Sequence, residues 1–281
     1  LLATADAMLA STERLSREVL AKTKLRAVAR MGVGYDSVDV PAATDLGIAV
    51  TITPGTLEES VAEHTVALLL GVSRGLVTRD REVRAGRWMR LPMPRMAGRT
   101  FGIIGLGRIG RAVVPKVQGL SMRVVAYDPF ADRQVASRLG VTLMSLSELL
   151  QSADVVSLHT TTTTDTQNLI NRRTLAQMKP GSILINTGRG ALVDEDALCE
   201  ALDRGHLFGA ALDVFKMEPL PLDSKLLAYP NVLLCTHMGG MDWDSQTAAS
   251  NLAAQCIVDL YRGRWPEACV VNRELRDRYK W

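Results

Sequence analysis

Three polar residues in the second half of the chain have side chains suited to acid–base chemistry on a small anion. Arg189, Glu218 and His237 each lie a few residues beyond a run of apolar residues. An arginine fork can hold a carboxylate or a carbonyl oxygen through two hydrogen bonds, and a histidine exchanges a proton near neutral pH. A carboxylate beside the imidazole orients it and favours its charged form. Together they could bind a carbonyl acid and move a proton at its oxygen.

Each of these residues also has an ordinary alternative role. The arginine could form an exposed salt bridge, the glutamate could be solvated, and the histidine could be satisfied inside the core. The apolar runs that precede these residues indicate whether the three side chains can lie close together. Six short runs rich in Val or Ile predict strands buried on both faces, and hence a parallel sheet. They are Thr100 to Gly105, Met122 to Tyr127, Asp154 to His159, Ser182 to Asn186, Ala210 to Val214 and Asn231 to Cys235.

A glycine loop follows the first of these strands. Its sequence GLGRIG, from Gly105 to Gly110, matches the GxGxxG pattern, and a helical pattern continues from Arg108. Such glycines let the backbone turn tightly and approach a pyrophosphate at a helix N-terminus. Asp128 ends the next strand, where a carboxylate binds the adenosine ribose and disfavours a 2′-phosphate, which favours NAD over NADP. The alternative is a packing turn followed by a strand-end aspartate.

With NAD bound, these groups could carry out reversible hydride transfer between a 2-hydroxy acid and a 2-oxo acid. Ligands of open α/β sheets bind beyond the carboxyl ends of the strands, where all three polar residues are expected. Cys235 closes a predicted buried strand, and we expect it to serve in packing.

Helix signals place the elements around the strands. Ser145 with Glu148 forms a capping-box pattern, while Asn171 and Asp194 are candidate N-caps. Thr56 and Glu59 predict the start of one long helix toward Arg84. We predict a doubly wound domain over 98–244 and a discontinuous α/β domain over 1–97 plus 245–281, with a cleft between them.

Composition limits the classes of function. The 281 residues carry a net charge of +3 with 47% hydrophobic residues, and no Lys/Arg block indicates nucleic-acid binding. No apolar run is long enough to span a membrane, and no signal peptide is evident. The four cysteines form no CxxC pair and lie in no Cys/His cluster along the sequence, which argues against a metal site and for a reducing, cytoplasmic location.

Several long motifs resemble those of the D-isomer-specific 2-hydroxyacid dehydrogenases, a family that includes phosphoglycerate dehydrogenase, glyoxylate/hydroxypyruvate reductase and D-lactate dehydrogenase. The motifs occur in the family's order and cover nearly the whole chain. They are RMGVGYDSVD, VAEHTVALLL, GRTFGIIGLGRIGR, INTGRGALVDEDAL, GAALDVFKMEPL and THMGG.

The resemblance implies a role for each matching residue. Arg189 would bind the substrate, Glu218 would pair with His237, and His237 would be the acid/base. Backbone amides of Val33 and Gly34 would anchor the substrate carboxylate. The cofactor-binding positions would be Gly105, Gly107, Arg108, Ile109, Gly110, Asp128, His159, Thr160, Thr161, Thr187, Gly188, Asp213 and Gly239.

The family's architecture is a Rossmann-type NAD-binding domain inserted in a flavodoxin-like substrate domain, with a homodimer formed through the NAD domain. The resemblance also implies that the family's first strand and helix are partly missing before Leu1. The chain departs from the family at Thr161, at Ile52 and at Met241-Asp242. None of these departures removes a catalytic group.

Two other functions share these motifs. C-terminal-binding-protein corepressors resemble the same family and use NAD(H) as a signal for protein partners. Formate- and phosphite-type dehydrogenases belong to the same superfamily, but the substrate-domain motif is more similar to the hydroxyacid branch. We expect an NAD-dependent enzyme acting on a small acid of the 3-phosphoglycerate, hydroxypyruvate or glyoxylate type.

Overall fold

The structure, a computed structural model, describes residues 4–281, so the first three residues of the predicted N-terminal domain lie outside the described part. The strands in chain order are β1 Ala7–Ala10, β2 Ala27–Arg30, β3 Ala49–Thr51, β4 Thr100–Ile104, β5 Arg123–Tyr127, β6 Thr142–Leu143, β7 Val155–Leu158, β8 Ser182–Asn186, β9 Leu207–Leu212 and β10 Val232–Leu234.

The α-helices in chain order are α1 Arg17–Leu20, α2 Val40–Asp45, α3 Glu58–Arg74, α4 Leu76–Arg84, α5 Arg108–Gly119, α6 Arg133–Arg138, α7 Leu146–Ser152, α8 Arg172–Gln177, α9 Glu195–Asp203 and α10 Trp243–Tyr261. Short 3-10 helices cover Gly190–Leu192, Lys225–Ala228 and Arg273–Arg278. The six predicted strands correspond to β4, β5, β7, β8, β9 and β10.

The chain divides into two compact units, Leu1–Leu57 with Gly240–Trp281, and Glu58–Gly239. The first unit contains a parallel sheet in the order β1-β2-β3, against which α10 packs. The C-terminal segment is fixed to this sheet by the buried Asn272, which accepts from Val50 N and donates to the Ile48 carbonyl, each at 2.9 Å. Both ends of the chain therefore build one unit.

The second unit contains a seven-stranded parallel sheet in the order β10-β9-β8-β7-β4-β5-β6. Hydrophobic clusters cover both of its faces, as expected for continuous apolar strands. The strand order reverses between β4 and β7, and this switch point is where such sheets bind ligands. The predicted doubly wound α/β fold is confirmed.

The observed unit boundaries differ from those expected from the sequence at 97/98 and 244/245. Residues 58–97 lie in the second unit, because Leu69 and Val72 of α3 share a buried cluster with Phe101 and Ile103 of β4. At the other boundary, Asp242 is the N-cap of α10 and accepts from Ser245 N at 2.8 Å. The unusual Met241-Asp242 pair thus precedes a helix start.

Three predicted helix N-caps are present in the structure, whereas the length of one predicted helix differs. Ser145 and Glu148 form the expected capping box, and Asn171 and Asp194 cap α8 and α9. The single long helix expected from Thr56 to Arg84 is wrong, because Gly75 adopts φ +59° and separates α3 from α4. Glycine takes this left-handed conformation at little cost, so it ends one helix and begins another.

Candidate active site

The three glycines of the loop differ in how closely other atoms approach them. A Cβ on Gly105, whose φ is +97°, would lie 2.8 Å from the His159 carbonyl, and one on Gly110 would lie 2.2 Å from the Gly105 carbonyl oxygen. These two glycines are needed for packing between β4, β7 and α5. Gly107 instead faces open space and precedes Arg108, the first residue of α5. The loop therefore leaves room at a helix N-terminus, which suits a pyrophosphate.

Asp128 lies just beyond β5 and is tied to this loop. One carboxylate oxygen accepts from Leu106 N and the other from Phe130 N, both at 2.8 Å. A carboxylate has about four acceptor sites, so Asp128 retains capacity for further hydroxyl groups. The residues present therefore fit a dinucleotide with an unmodified ribose.

His159 follows β7 on the other side of the switch point. Burial lowers the pKa of His159 to about 4, so its ring is neutral at physiological pH. Its Nε2 lies 2.9 Å from Ser157 Oγ and its Nδ1 lies 3.4 Å from Thr187 Oγ1. This fixed ring joins the ends of β7 and β8, next to Thr160 and the exposed Thr161.

The loop that carries Arg189 is organised by Asn186, which the sequence did not indicate as functional. This residue is fully buried at the end of β8, accepts from Gly188 N at 3.0 Å and donates to the Arg189 carbonyl at 2.8 Å. A Cβ on the next residue, Gly190, would lie 1.9 Å from the Phe215 carbonyl carbon. Close contact at Gly190 therefore brings the Arg189 loop against the segment that leads to Glu218.

Glu218 and His237 form the expected pair. His237 Nδ1 lies 2.7 Å from Glu218 Oε2, while Glu218 Oε1 accepts from Phe215 N at 2.9 Å. Although burial acts in the opposite direction, hydrogen bonds from His237 and Phe215 and the nearby Arg189 charge hold the pKa of Glu218 below its usual value. Glu218 is therefore an anion that orients the ring, which leaves Nε2 of His237 for exchange with a ligand.

The backbone around His237 is held by Asp213. His237 has φ +56°, a left-handed conformation that is uncommon for a residue with a side chain. His237 N donates to the Asp213 carbonyl at 2.8 Å, and the Asp213 carboxylate accepts from Met238 N at 2.9 Å and Gly239 N at 2.8 Å. Three successive amides are thus satisfied by one residue, which stabilises the turn that presents the histidine.

A second histidine contacts the same aspartate. His64 Nε2 lies 3.3 Å from Asp213 Oδ1, and the side chains are 16% and 2% exposed. The adjacent Asp213 carboxylate and Cys235 sulfur raise the pKa of His64 to about 9 despite burial, and the pKa of Asp213 is lowered by His64 and the two amides despite its own burial. This buried ion pair was not predicted from the sequence.

Cys235 lies in the same cluster. The ligand atoms of His64, Asp213 and Cys235 all lie within 4.8 Å of one another. These residues form no cluster along the sequence, and the structure brings them together because α3, β9 and β10 pack against one another although they are far apart along the chain.

The structure places the remaining predicted residues in two groups. Arg108 and Ile109 form the first turn of α5, and Thr187 and Gly188 precede Arg189, all within the second unit. Val33 and Gly34 belong to the first unit, in the loop after β2. Among residues 4–281, the N–H groups of Val33 and Gly34 donate no hydrogen bond, so they are available to an anion.

A cavity of about 510 Å³ lies apart from these residues, between α4 with its following loop and the β10 edge. It is mostly apolar and includes Val77, Val83, Met89 and Leu91. Glu82, the carboxylate in its lining, is paired with Arg87. Within residues 4–281, no helix has the length and apolar character to cross a bilayer.

A doubly wound parallel sheet with a glycine loop at its switch point defines a dinucleotide-binding domain of Rossmann type. Residues 66–239 match the family described as the D-isomer specific 2-hydroxyacid dehydrogenase, NAD binding domain. The chain belongs to the D-isomer-specific 2-hydroxyacid dehydrogenase family, which are oxidoreductases.

Similarity to individual proteins extends over nearly the whole chain. The chain is 41% identical over 271 residues to a glyoxylate reductase of Korarchaeum cryptofilum, and the match covers 94% of this chain and 81% of that protein. The chain is 39% identical over 264 residues to a D-3-phosphoglycerate dehydrogenase of Methanocaldococcus jannaschii, and the match covers 92% of this chain and 50% of that protein.

Among solved structures, the D-lactate dehydrogenase from Aquifex aeolicus complexed with NAD and lactic acid has a TM-score of 0.88 at 29% identity, covering 96% of this chain and 87% of that one. The predicted family, the parallel α/β fold and the NAD-binding domain are confirmed.

Proposed function

We propose that this protein is an NAD-dependent dehydrogenase that interconverts a D-2-hydroxy acid and a 2-oxo acid of the glyoxylate, hydroxypyruvate or 3-phosphoglycerate type. The observation that carries the proposal is the 2.7 Å hydrogen bond between His237 and Glu218, formed next to the Arg189 loop. The glyoxylate reductase and phosphoglycerate dehydrogenase relatives support this class of substrate.

In the reductive direction, Arg189 would bind the carboxylate and carbonyl oxygen of the 2-oxo acid through its guanidinium. Val33 and Gly34 would add backbone N–H donors to the carboxylate. His237, charged and oriented by Glu218, would transfer the proton on Nε2 to the carbonyl oxygen. NADH, when bound, supplies the hydride to the carbonyl carbon, so that the products are the hydroxy acid and NAD.

The second unit would bind the cofactor and the first unit would bind the substrate. Gly105, Gly107 and Gly110 with Arg108 and Ile109 would face the pyrophosphate, and Asp128 would bind the adenosine ribose. The remaining cofactor contacts would come from His159, Thr160, Thr161, Thr187, Gly188, Asp213 and Gly239. The carboxylate of Asp213 would receive the nicotinamide amide in addition to its protein hydrogen bonds, which its acceptor capacity allows.

The proposal is tested by following NADH absorbance with glyoxylate, hydroxypyruvate or 2-oxoglutarate as oxidant, and NAD reduction with 3-phosphoglycerate. We expect turnover with at least one of these acids, and comparison of kcat/KM across the panel identifies the preferred side chain. Tight NADH binding without turnover of any acid would contradict the proposal and favour an NAD(H)-sensing protein of the corepressor type.

We also propose a homodimer formed through the second unit. Six large apolar side chains are exposed within a short segment that comprises α4 and the loop after it. They are Leu76, Val77, Val83, Trp88, Met89 and Leu91. Since exposed apolar patches of this kind mark interfaces, we expect light scattering to give about twice the 30.6 kDa chain mass. A single-chain mass for the wild type, or an unchanged dimer in Trp88→Glu, would contradict this interface.

A further inference from the structure

The cluster of His64, Asp213 and Cys235 combines three of the side chains that bind zinc in proteins. His64 lies on α3, Asp213 follows β9, and Cys235 follows β10. Their ligand atoms lie within 4.8 Å of one another. Three elements of one compact unit therefore deliver nitrogen, oxygen and sulfur donors to a single point.

The distances are close to those that a zinc ion requires. Bonds of about 2.0 Å to nitrogen and oxygen and 2.3 Å to sulfur place tetrahedral ligands roughly 3.3 to 3.8 Å apart. Side-chain shifts of about 1 Å or less would bring the three ligand atoms to that spacing from at most 4.8 Å. The backbone of the second unit does not need to rearrange.

The hydrogen bonding of the cluster leaves capacity for an ion. His64 Nε2 is buried and makes no hydrogen bond of normal geometry, although it lies 3.3 Å from the Asp213 carboxylate. Asp213 accepts from Met238 N and Gly239 N, which fixes its orientation and still leaves lone pairs. Hydrogen-bonded carboxylates of this kind are held in place as metal ligands.

Charge also favours a divalent ion. Zinc would bind with release of the His64 and Cys235 protons, and the resulting Asp213 carboxylate and Cys235 thiolate would together carry two negative charges, which equal the charge of Zn²⁺. A sulfur ligand with an imidazole selects zinc over magnesium or calcium, which prefer oxygen. Three protein ligands leave a fourth position for water.

We propose that His64, Asp213 and Cys235 form a binding site for one zinc ion. The proposal concerns these three side chains and does not depend on the reaction that the protein catalyses. It adds a metal site to a part of the fold where the sequence indicated no metal.

The test is a titration of the apo protein with zinc, with affinity measured by competition against a chromogenic chelator. We expect one equivalent to bind, and cobalt in its place to give the sulfur-to-metal charge-transfer band of a thiolate ligand. Loss of one ligand in Cys235→Ser or His64→Asn should weaken binding by about 10-fold or more, since even residues that only support metal ligands are worth 10- to 100-fold. The matched control is Cys199→Ser, which alters a buried cysteine on α9 outside the cluster.

Absence of zinc binding, or equal affinity in the wild type and Cys235→Ser, would overturn the proposal. Circular dichroism establishes whether each variant is folded, and Cys235→Ala provides a second variant if serine unfolds the chain. Cobalt bound without the charge-transfer band would exclude Cys235 as a ligand and would overturn the three-residue site.

A consequence for activity rests on the proposed function. Since Asp213 is assigned to the nicotinamide pocket, zinc should inhibit the dehydrogenase reaction, and Cys235→Ser should require about 10-fold more zinc for the same inhibition. Zinc bound without inhibition would contradict the role of Asp213 toward the nicotinamide and would leave the zinc site standing. The two failures are therefore distinguishable.

Discussion

The second unit contains two histidine–carboxylate pairs that differ mainly in burial. His237 and Glu218 lie 2.7 Å apart with side chains 42% and 36% exposed, whereas His64 and Asp213 lie 3.3 Å apart and are 16% and 2% exposed. Both pairs involve a residue that follows β9. The same two chemical groups therefore occur in contrasting environments within one domain.

The difference in burial shows how the surroundings of a histidine–carboxylate pair determine its role. In the buried pair, the raised pKa of His64 and the lowered pKa of Asp213 hold both groups charged near neutral pH. That pair also anchors the amides of Met238 and Gly239 through Asp213. In the exposed pair, Nδ1 of His237 is fixed by Glu218 while Nε2 is available for proton transfer. We infer that the buried pair supports the structure and the exposed pair carries the chemistry.

The largest effect on stability is expected from His64→Asn. Because the folded-state pKa of His64 is raised from 6.5 to about 9, the stabilisation by the ion pair is fully present below pH 6.5 and is lost as the pH rises through 9. The difference in unfolding free energy between wild type and variant should shrink by roughly 2 to 3 kcal/mol from pH 6.5 to pH 9, at about 1.4 kcal/mol per pKa unit.

Urea denaturation at both pH values, with a chelator present, measures this difference. His206→Asn is the matched control, since His206 is a half-buried histidine that contacts the Leu175 carbonyl and forms no ion pair with a carboxylate of residues 4–281. A stability difference for His64→Asn that does not change with pH would contradict the buried ion pair.

A smaller effect is expected from Glu218→Gln, which keeps the shape of the exposed pair and removes its charge. A hydrogen bond to a charged group contributes about 1.5 to 3 kcal/mol, so kcat should fall by about 10- to 100-fold. Steady-state kinetics measures kcat, and a wild-type kcat in Glu218→Gln would show that Glu218 does not act on His237.

The sequence predicted the exposed pair because local signals and one rule of topology were sufficient. Apolar runs marked β8, β9 and β10, and parallel strands place their carboxyl ends at one edge, so Arg189, Glu218 and His237 could be assigned to that edge. The capped helices and the glycine loop followed from equally local patterns. The confirmed family adds weight to these assignments, although the roles of the individual residues stay predictions.

The buried pair was not predictable in the same way. His64 lies within an apolar helical pattern, and Asp213 is one acid at the end of a strand, so neither indicates the other. Their contact depends on α3 packing on the seven-stranded sheet, and the sequence-based boundary had placed α3 in the other domain. The difference between the expected and the observed boundary therefore also concealed the cluster with Cys235.

The central claim is that the exposed pair, and not the buried one, supplies the proton. Stopped-flow mixing of NADH-saturated protein with the preferred 2-oxo acid compares the single-turnover rate of the wild type, His237→Ala and His64→Asn. The account predicts a loss of about 10² to 10⁴ in rate for His237→Ala with NADH affinity retained, the usual size of an acid–base contribution, and less than about 10-fold for His64→Asn. Wild-type hydride transfer in His237→Ala, or an equal loss in both variants, would contradict it.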